Sequence, residues 1–503
     1  MTDCVVAIGL DMGDGELIRA LAQQSLMPNY AALIEQGTWV ELESTARFLH
    51  TSTWPTFATG VLPGRHGVYY PYQPVPGHQE AQLIQPDQYG APTFWKRADE
   101  QGRRCIVYDV PETFLEPGYD GRAIFEWGTW AWYGERRSHP AGLLQDIKRR
   151  FGVYPLKMEA KSLGARFPDP VELERRLLQS IEHKRGSFEW LLRENDWDLA
   201  VTVFGETHPA GHYLWPSGAV AYTDASDGRF DAIRRVYVEL DRALGSIRAA
   251  LPPGTSLMVV SGDGVTANHC AWYLVPDALE KLGYLARPVQ QHGGDTGGRA
   301  LSLSGIKNML PQGARRWIAD HLPWWLRDRI GASMRAADID WSHTRAFALP
   351  TDLEGCIRIN LKGREPQGIV EPSNYAPLCR EIAARLQELV NPATGEKAAR
   401  QVWLRDEVFA GPAREYLPDI MVAWNNAGPF RSLASPGMGS VERDTPDPRT
   451  GTHSWRGFCL AQGKNFPARA SATARLQDVA PTLLGLIGVE PKGMDGVPMR
   501  MPQ

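Results

Sequence analysis

Several side chains that can bind a metal or move a proton fall directly after apolar runs in this 503-residue chain. Asp11 follows VVAIGL (5–10), and Glu206, His208 and His212 follow DLAVTVFG (198–205). Asp263 follows SLMVVSG (256–262), His453 stands in GTHSWRG just before GFCLAQ (457–462), and His50 follows WVELESTARFL (39–49). Clusters of His, Asp and Glu are what a divalent metal needs, imidazole favouring zinc-like ions and carboxylate tolerating harder ones. Each position has a dull reading of its own: Asp11 as a turn residue, His453 as a solvated loop histidine. Their recurrence at strand ends favours a metal site. His208 and His212 are four apart, so one helical turn sets both on one face. The stretch HTST (50–53) adds a His, two Thr and a Ser in four consecutive positions, any of which could be a nucleophile or a ligand. A hydroxyl nucleophile needs a neighbouring base or metal to activate it. Glu206 is read either as a carboxylate orienting a histidine or as a proton acceptor.

The elements that must position these groups are legible as apolar runs alternating with helical patterns. VVAIGL, RCIVYDV (104–110), DLAVTVFG, SLMVVSG, DIMVAW (419–424) and GFCLAQ read as buried strands, with helices over 29–36, 171–194, 230–250, 376–390 and 477–487. Near-continuous Val/Ile/Leu runs suit a parallel sheet covered on both faces, and strands alternating with helices suit a doubly wound α/β fold. In such sheets ligands bind beyond the carboxyl ends of the strands, where these residues fall.

Composition narrows the function. An apolar content of 43% supports a large core, and a net charge of −4 gives no electrostatic footprint for nucleic acid or an anionic membrane. The six cysteines show no CxxC pairing and read as buried thiols of a reducing compartment. No run reaches the 18 or more apolar residues of a membrane span, and the start MTDCVVAIGL lacks a basic leader, so a cytoplasmic location is expected. A homo-oligomer is compatible with the sequence.

The motifs together, in this order, resemble the alkaline phosphatase superfamily, and within it the type I phosphodiesterase/nucleotide pyrophosphatase branch. AIGLDMGD is similar to its first metal-binding strand end, TWPTFATGVLPGRHGVYY to its nucleophile helix and loop, FGETHPAGHYLW to its Asp-to-His segment, and SGDG to its Ser-Asp-His-Gly. GTHSWRGFCLAQG is similar to the last His loop and LQDVAPTLLGLIGVEPKGMDG to the closing helix. The resemblance implies hydrolysis of phosphate esters at one or two divalent ions, zinc first with Mn2+ or Fe as alternatives, acting on a small phosphorylated substrate. It also gives His66 a structural loop role. The formylglycine motif Cys-x-Pro-x-Arg of the superfamily's sulfatases is absent.

This sequence departs from the family pattern at three places. His208 stands where the family has Asp, Gly262-Asp263 where it has Asp-His, and His50 at the usual Thr/Ser position, with Thr51 one residue later. The implied ligand set is therefore His208, His212 and His453 for one ion, with Asp11, Asp263 and His50 or Thr51 for a second. Thr51 as nucleophile and His50 as ligand both stay open. Two other readings stand beside a hydrolase: an enzyme of specialised metabolism acting on another bond, and an inactive metal-binding member of the superfamily. Residues 1–285 and 341–503 are expected to form the catalytic core. Two segments are expected to cap it: 113–165, with Trp127, Trp130 and Trp132, and 286–340, with Trp317, Trp324 and Trp325. Aromatic clusters of this kind otherwise pack.

Overall fold

The computed structural model describes residues 4–85, 88–128, 130–131, 137–156, 158–159, 169–222, 228–288 and 339–500, with the backbone alone at 130–131 and 158–159. The strands that matter here are β1 (Val5–Leu10), β2 (Thr38–Glu43), β3 (Cys105–Tyr108), β4 (Arg122–Phe125), β5 (Arg137–His139), β6 (Leu199–Phe204), β7 (Ser256–Ser261) and β8 (Gly264–Ala267). They are followed by β9 (Ala346–Ala348), β10 (Gly355–Ile359), β11 (Ala399–Leu404), β12 (Ile420–Trp424), β13 (Gly451–Ser454), β14 (Arg456–Gln462) and β15 (Ala470–Arg475).

Nine of them form one sheet in the order β15-β2-β14-β7-β1-β6-β3-β4-β5. β1 lies parallel to β6 and β7, β6 to β3, and β3 to β4. Only β14 and β5 run against the rest. Every residue of β1, β6 and β7 is buried, as unbroken apolar runs require when both faces of a sheet are covered. Val6, Ile8 and Leu10 face a core shared with Leu177, Ile181, Tyr237 and Leu244 of the helices Pro170–Glu194 and Asp231–Ala250. Val5 and Ala7 face the other core, with Trp54, Phe57 and Leu483. The helix Pro170–Glu194 is set by local signals: Asp169 caps the Val171 N–H and proline occupies the first position.

Strand ends are where the chain is least relaxed. Met12, Asp109, Glu112 and Glu126, just past β1, β3 and β4, hold φ values of 60°, 62°, 58° and 57°. Non-glycine residues rarely adopt this left-handed region, and such strain gathers at functional sites. Gly9 in β1 permits a close approach, since a Cβ there would lie 2.6 Å from Cη2 of Trp54.

Two expectations need correction. DIMVAW does form a strand, β12, but not in the parallel sheet. It sits in a separate antiparallel sheet of order β9-β10-β12-β11, backed by the helix Pro372–Glu388 around its own core of Ile357, Ile359, Ile382, Leu386 and Val422. An apolar run records burial on both faces without saying in which sheet. Likewise, part of 113–165 extends the central sheet as β4 and β5, because Ala123–Phe125 are apolar enough to be buried at its edge. The expected cap over 286–340 lies almost wholly outside the described residues, with Trp317, Trp324 and Trp325 among those omitted. No helix among the described residues is long and apolar enough to cross a membrane.

Candidate metal centre

Three histidines converge at the carboxyl edge of the sheet. β6 runs directly into the helix Thr207–Tyr213, which carries His208 and His212 one turn apart, as their spacing predicts. His453 comes from β13, paired antiparallel with β8 so that Val265 lies opposite it. Ring centroids are 4.6 Å apart for His208 and His212, 4.9 Å for His208 and His453, and 5.2 Å for His212 and His453. One nitrogen from each ring lies within 4.8 Å of the others.

The other nitrogen of each ring is tied to an acceptor. Nδ1 of His208 is 2.7 Å from Oδ2 of Asp11, Nδ1 of His212 is 2.8 Å from the Gly451 carbonyl, and Nδ1 of His453 is 2.6 Å from Oδ2 of Asp263. The Gly451 carbonyl and the ionised Asp11 can only accept, so Nδ1 of His212 and of His208 donates its hydrogen and their Nε2 atoms keep a lone pair; Nδ1 of His453 does the same wherever Asp263 is a carboxylate. Nε2 of His208 then faces Nε2 of His212 at 2.8 Å. Two lone pairs that close repel unless something positive lies between them. Tetrahedral zinc with Zn–N bonds of about 2.0–2.1 Å sets its nitrogens roughly 3.4 Å apart. The observed span, from 2.8 Å to at most 4.8 Å, brackets that value. The donor set fits a zinc-like ion.

Asp11 accepts twice, from His208 at Oδ2 and from Nε1 of Trp54 at Oδ1, 2.8 Å away. Burial alone would raise its pKa, but His208 and Trp54 outweigh that and hold it below the usual carboxylate range. Burial, reinforced by the nearby Asp11 charge, pushes Asp263 up to about 8. Burial, with the Arg449 cation next, keeps His212 far below its ordinary value, and burial with His50 does the same for His453.

The structure places His50 beside the trio and not among its ligand atoms. Its ring is 4.6 Å from that of His453. Its Nδ1 lies 2.9 Å from Oε2 of Glu354 and its Nε2 3.2 Å from Oδ1 of Asp352. Burial would pull His50 down, but these two carboxylates hold it well above its ordinary value. Oγ1 of Thr51 is 3.1 Å from Nε2 of His50. Glu206 is fully buried and takes its hydrogen bond from the Tyr154 hydroxyl rather than from a site histidine; burial raises its pKa. His66 bonds Thr56 and the Val68 N–H, and burial takes it down to about 3, which fits a structural role. Trp127 is buried edge-on against Tyr154, as a packing residue would be, while the Trp130 side chain and Trp132 are outside the described residues.

Several neighbours escaped the sequence reading. Asp352 and Glu354 come from the loop between β9 and β10 in the antiparallel sheet, and nothing in PTDLEG signals that they cross to His50. Arg449 is fully committed, bonding Asp447 and Asp352, with Nη1 3.4 Å from Nε2 of His212. Glu112 and Glu126 are buried carboxylates past β3 and β4, and the strand-end rule that found Asp11 could have found them. Burial, then Glu126, drives Glu112 well above its ordinary value. Thr53 opens the helix Thr53–Thr59, and its Cβ lies 3.0 Å from where a side chain on Gly262 would begin.

An open, mostly parallel sheet covered on both faces, with imidazoles and carboxylates gathered at its carboxyl edge, fits the α/β fold expected of the alkaline phosphatase superfamily. The chain belongs to the type I phosphodiesterase/nucleotide pyrophosphatase family, whose model matches residues 5–458. Murine ectonucleotide pyrophosphatase/phosphodiesterase 5 superimposes with a TM-score of 0.50 at 12% identity, over 98% of this chain and 97% of that one. An inactive Thr-to-Ala variant of the murine protein, in complex with AMP, gives the same values. Phosphonoacetate hydrolase from Sinorhizobium meliloti 1021, in complex with phosphonoformate, is 14% identical, with a TM-score of 0.49 over 97% of this chain and 95% of that one. No curated protein is matched.

Proposed function

We propose that this protein hydrolyses a phosphate ester of a small molecule, a diester or pyrophosphate first, at a divalent metal held by His208, His212 and His453. The observation that carries this reading is the shared orientation of the three rings, each Nδ1 tied to an acceptor and each Nε2 turned to one point. Family membership supplies the reaction class. An ion with three neutral imidazoles and an open position is a Lewis acid for a phosphoryl oxygen and lowers the pKa of water.

The protein's own groups do the rest. His50 gives Nδ1–H to Glu354, and the Glu354 and Asp352 carboxylates outweigh burial and hold the ring protonated, so it has no lone pair with which to take a proton from Thr51. This disfavours Thr51 as a nucleophile activated by His50. Thr53, whose Cβ and Cγ2 pack against Gly262 and which precedes the Trp54 that holds Asp11, is a second candidate hydroxyl. A Thr-to-Ala variant of the murine neighbour is inactive, which suits a threonine nucleophile without choosing between Thr51 and Thr53. AMP in that complex makes a nucleotide ester a first substrate to try.

The test is an assay of metal-free and zinc-, manganese- or iron-reconstituted protein against an aryl phosphodiester, an aryl phosphomonoester, a nucleotide ester and a phosphonate. Turnover that vanishes on chelation and returns with metal is expected, highest on a diester. Full turnover in verified apo-protein defeats the metal reading, and preference for a bond other than a phosphate ester favours an enzyme of specialised metabolism.

A further inference from the structure

Asp11 and Asp263 are the residues that a second metal ion would need, and the structure has already engaged both. We infer that the centre is mononuclear: Asp11 and Asp263 are positioning residues that fix the tautomer and tilt of His208 and His453, and they do not ligate a second ion. This rests on the three-histidine reading above.

Four observations support it. Each oxygen of Asp11 receives an N–H, from His208 at 2.7 Å and from Trp54 at 2.8 Å. Asp263 receives Nδ1–H of His453 at 2.6 Å and a backbone hydrogen bond from Met12. Carboxylates in this relation to metal-binding imidazoles orient the ring and raise its basicity. Position 262, where the family motif brings a carboxylate, is glycine, and the space for a side chain is taken: a Cβ there would meet Cβ of Thr53 at 3.0 Å and Cδ2 of Leu476 at 3.3 Å. Finally, His50 is turned away to Glu354 and Asp352. Among the described residues, His208, His212 and His453 have ligand atoms close enough to share an ion, and no second group of three His, Cys, Asp or Glu side chains does.

The inference predicts roles that substitution can separate. A ligand replaced by alanine removes a site, whereas a positioning carboxylate replaced by asparagine leaves an oxygen that still accepts Nδ1–H. Asp263→Asn and Asp11→Asn should therefore keep one site, weakened by less than the roughly 10- to 100-fold expected of the alanine variants.

The experiment is elemental analysis of the full-length protein after dialysis in excess zinc, paired with visible and paramagnetic resonance spectra of the cobalt-substituted form. Wild type, Asp11→Asn, Asp263→Asn and Asp263→Ala are compared, with thermal melts in chelator to identify any variant that fails to fold. One equivalent of metal per chain in wild type and in every folded variant, with an uncoupled tetrahedral cobalt signal, is the expected result. Two equivalents in wild type falling to one in Asp263→Ala overturns the mononuclear inference and leaves the three-histidine site standing. No bound metal at all overturns that site itself. Should Asp263→Ala misfold, the stoichiometry and the magnetic coupling of wild type still decide.

Discussion

His212 shows how one backbone atom can set which ring nitrogen carries the hydrogen. The Gly451 carbonyl accepts the hydrogen of Nδ1, so the lone pair of Nε2 is turned inward, toward His208 and the Arg449 guanidinium. Replacing His212 or His453 with Ala should remove most of the metal affinity. The unfolding temperature should fall in zinc-replete buffer and hardly move in chelator, because a ligand stabilises only through the state that binds it. Equal falls in both buffers mean the rings are packing groups. Thr53→Ala should lower turnover by about 10³-fold or more, the scale on which loss of a nucleophile is felt, while Thr51→Ala should cost far less. The reverse ranking returns the role to Thr51. Gly262→Asp should cost about 1–3 kcal/mol by overpacking against Thr53 and Leu476, read as a lower denaturation midpoint. Asp11, His208, His212, Asp263 and His453 were legible in the sequence because each ends or flanks a strand of recognisable composition. Asp352, Glu354 and Arg449 were not, since their meaning depends on a contact between distant stretches of chain that no local pattern encodes.

At the scale of elements, the antiparallel sheet is pinned by a buried charge cluster on the strand β12 side. Asp419, at the start of β12, bonds Nη1 and Nη2 of Arg364 at 2.8 and 2.6 Å and Nη1 of Arg405 at 2.8 Å. Burial alone would raise its pKa, but Arg364 outweighs it and leaves Asp419 far below the usual carboxylate range. The sign follows: a group depressed on folding stabilises the native state above its unfolded value near 3.8 and loses that contribution as pH falls through its folded value. Asp419→Asn should cost about 3–5 kcal/mol at neutral pH, since two guanidinium groups lose the charge they share and keep the carboxylates of Glu365 and Asp406. Its melting temperature should also depend less on pH below 4 than that of wild type. A variant with wild-type stability, or with an unchanged acid limb, sinks this account. The sheet itself was hidden in the sequence because β12 carries the same unbroken apolar run as the strands of the central sheet. Burial has one signature; sheet membership leaves none in so short a segment.

For the molecule as a whole, the candidate centre joins the two sheets. The central sheet and the β8–β13 ribbon beside it supply the trio, the loop between β9 and β10 of the antiparallel sheet supplies Asp352 and Glu354, and Arg449 bridges Asp447 to Asp352 through donors at 2.6 and 2.7 Å. Arg449→Met should therefore weaken the joint, leaving Asp447 with Asn268 and Asp352 with His50 but both without their guanidinium, at a cost of about 3–5 kcal/mol. Calorimetry should show the thermal transition broaden or split, whereas a single sharp transition at the wild-type temperature excludes a bridging role. The parallel core was readable from composition and periodicity at β1, β6 and β7, and the family motifs fixed their order. The relation between the sheets was not readable, because it is made by side chains that are unremarkable in their own segments.

The division of labour across that joint carries a consequence for how such enzymes diversify. The three imidazoles and their acceptors are carried by the central sheet and the β8–β13 ribbon beside it, while both carboxylates that face His50 are carried by the β9–β10 loop. Variation in that loop would change the charge beside His50 while leaving the three imidazoles and their acceptors in place. Exchanging residues 350–354 is therefore expected to shift substrate preference while the metal content stays that of wild type, and loss of metal from the exchanged protein would show that the two stretches do not act separately.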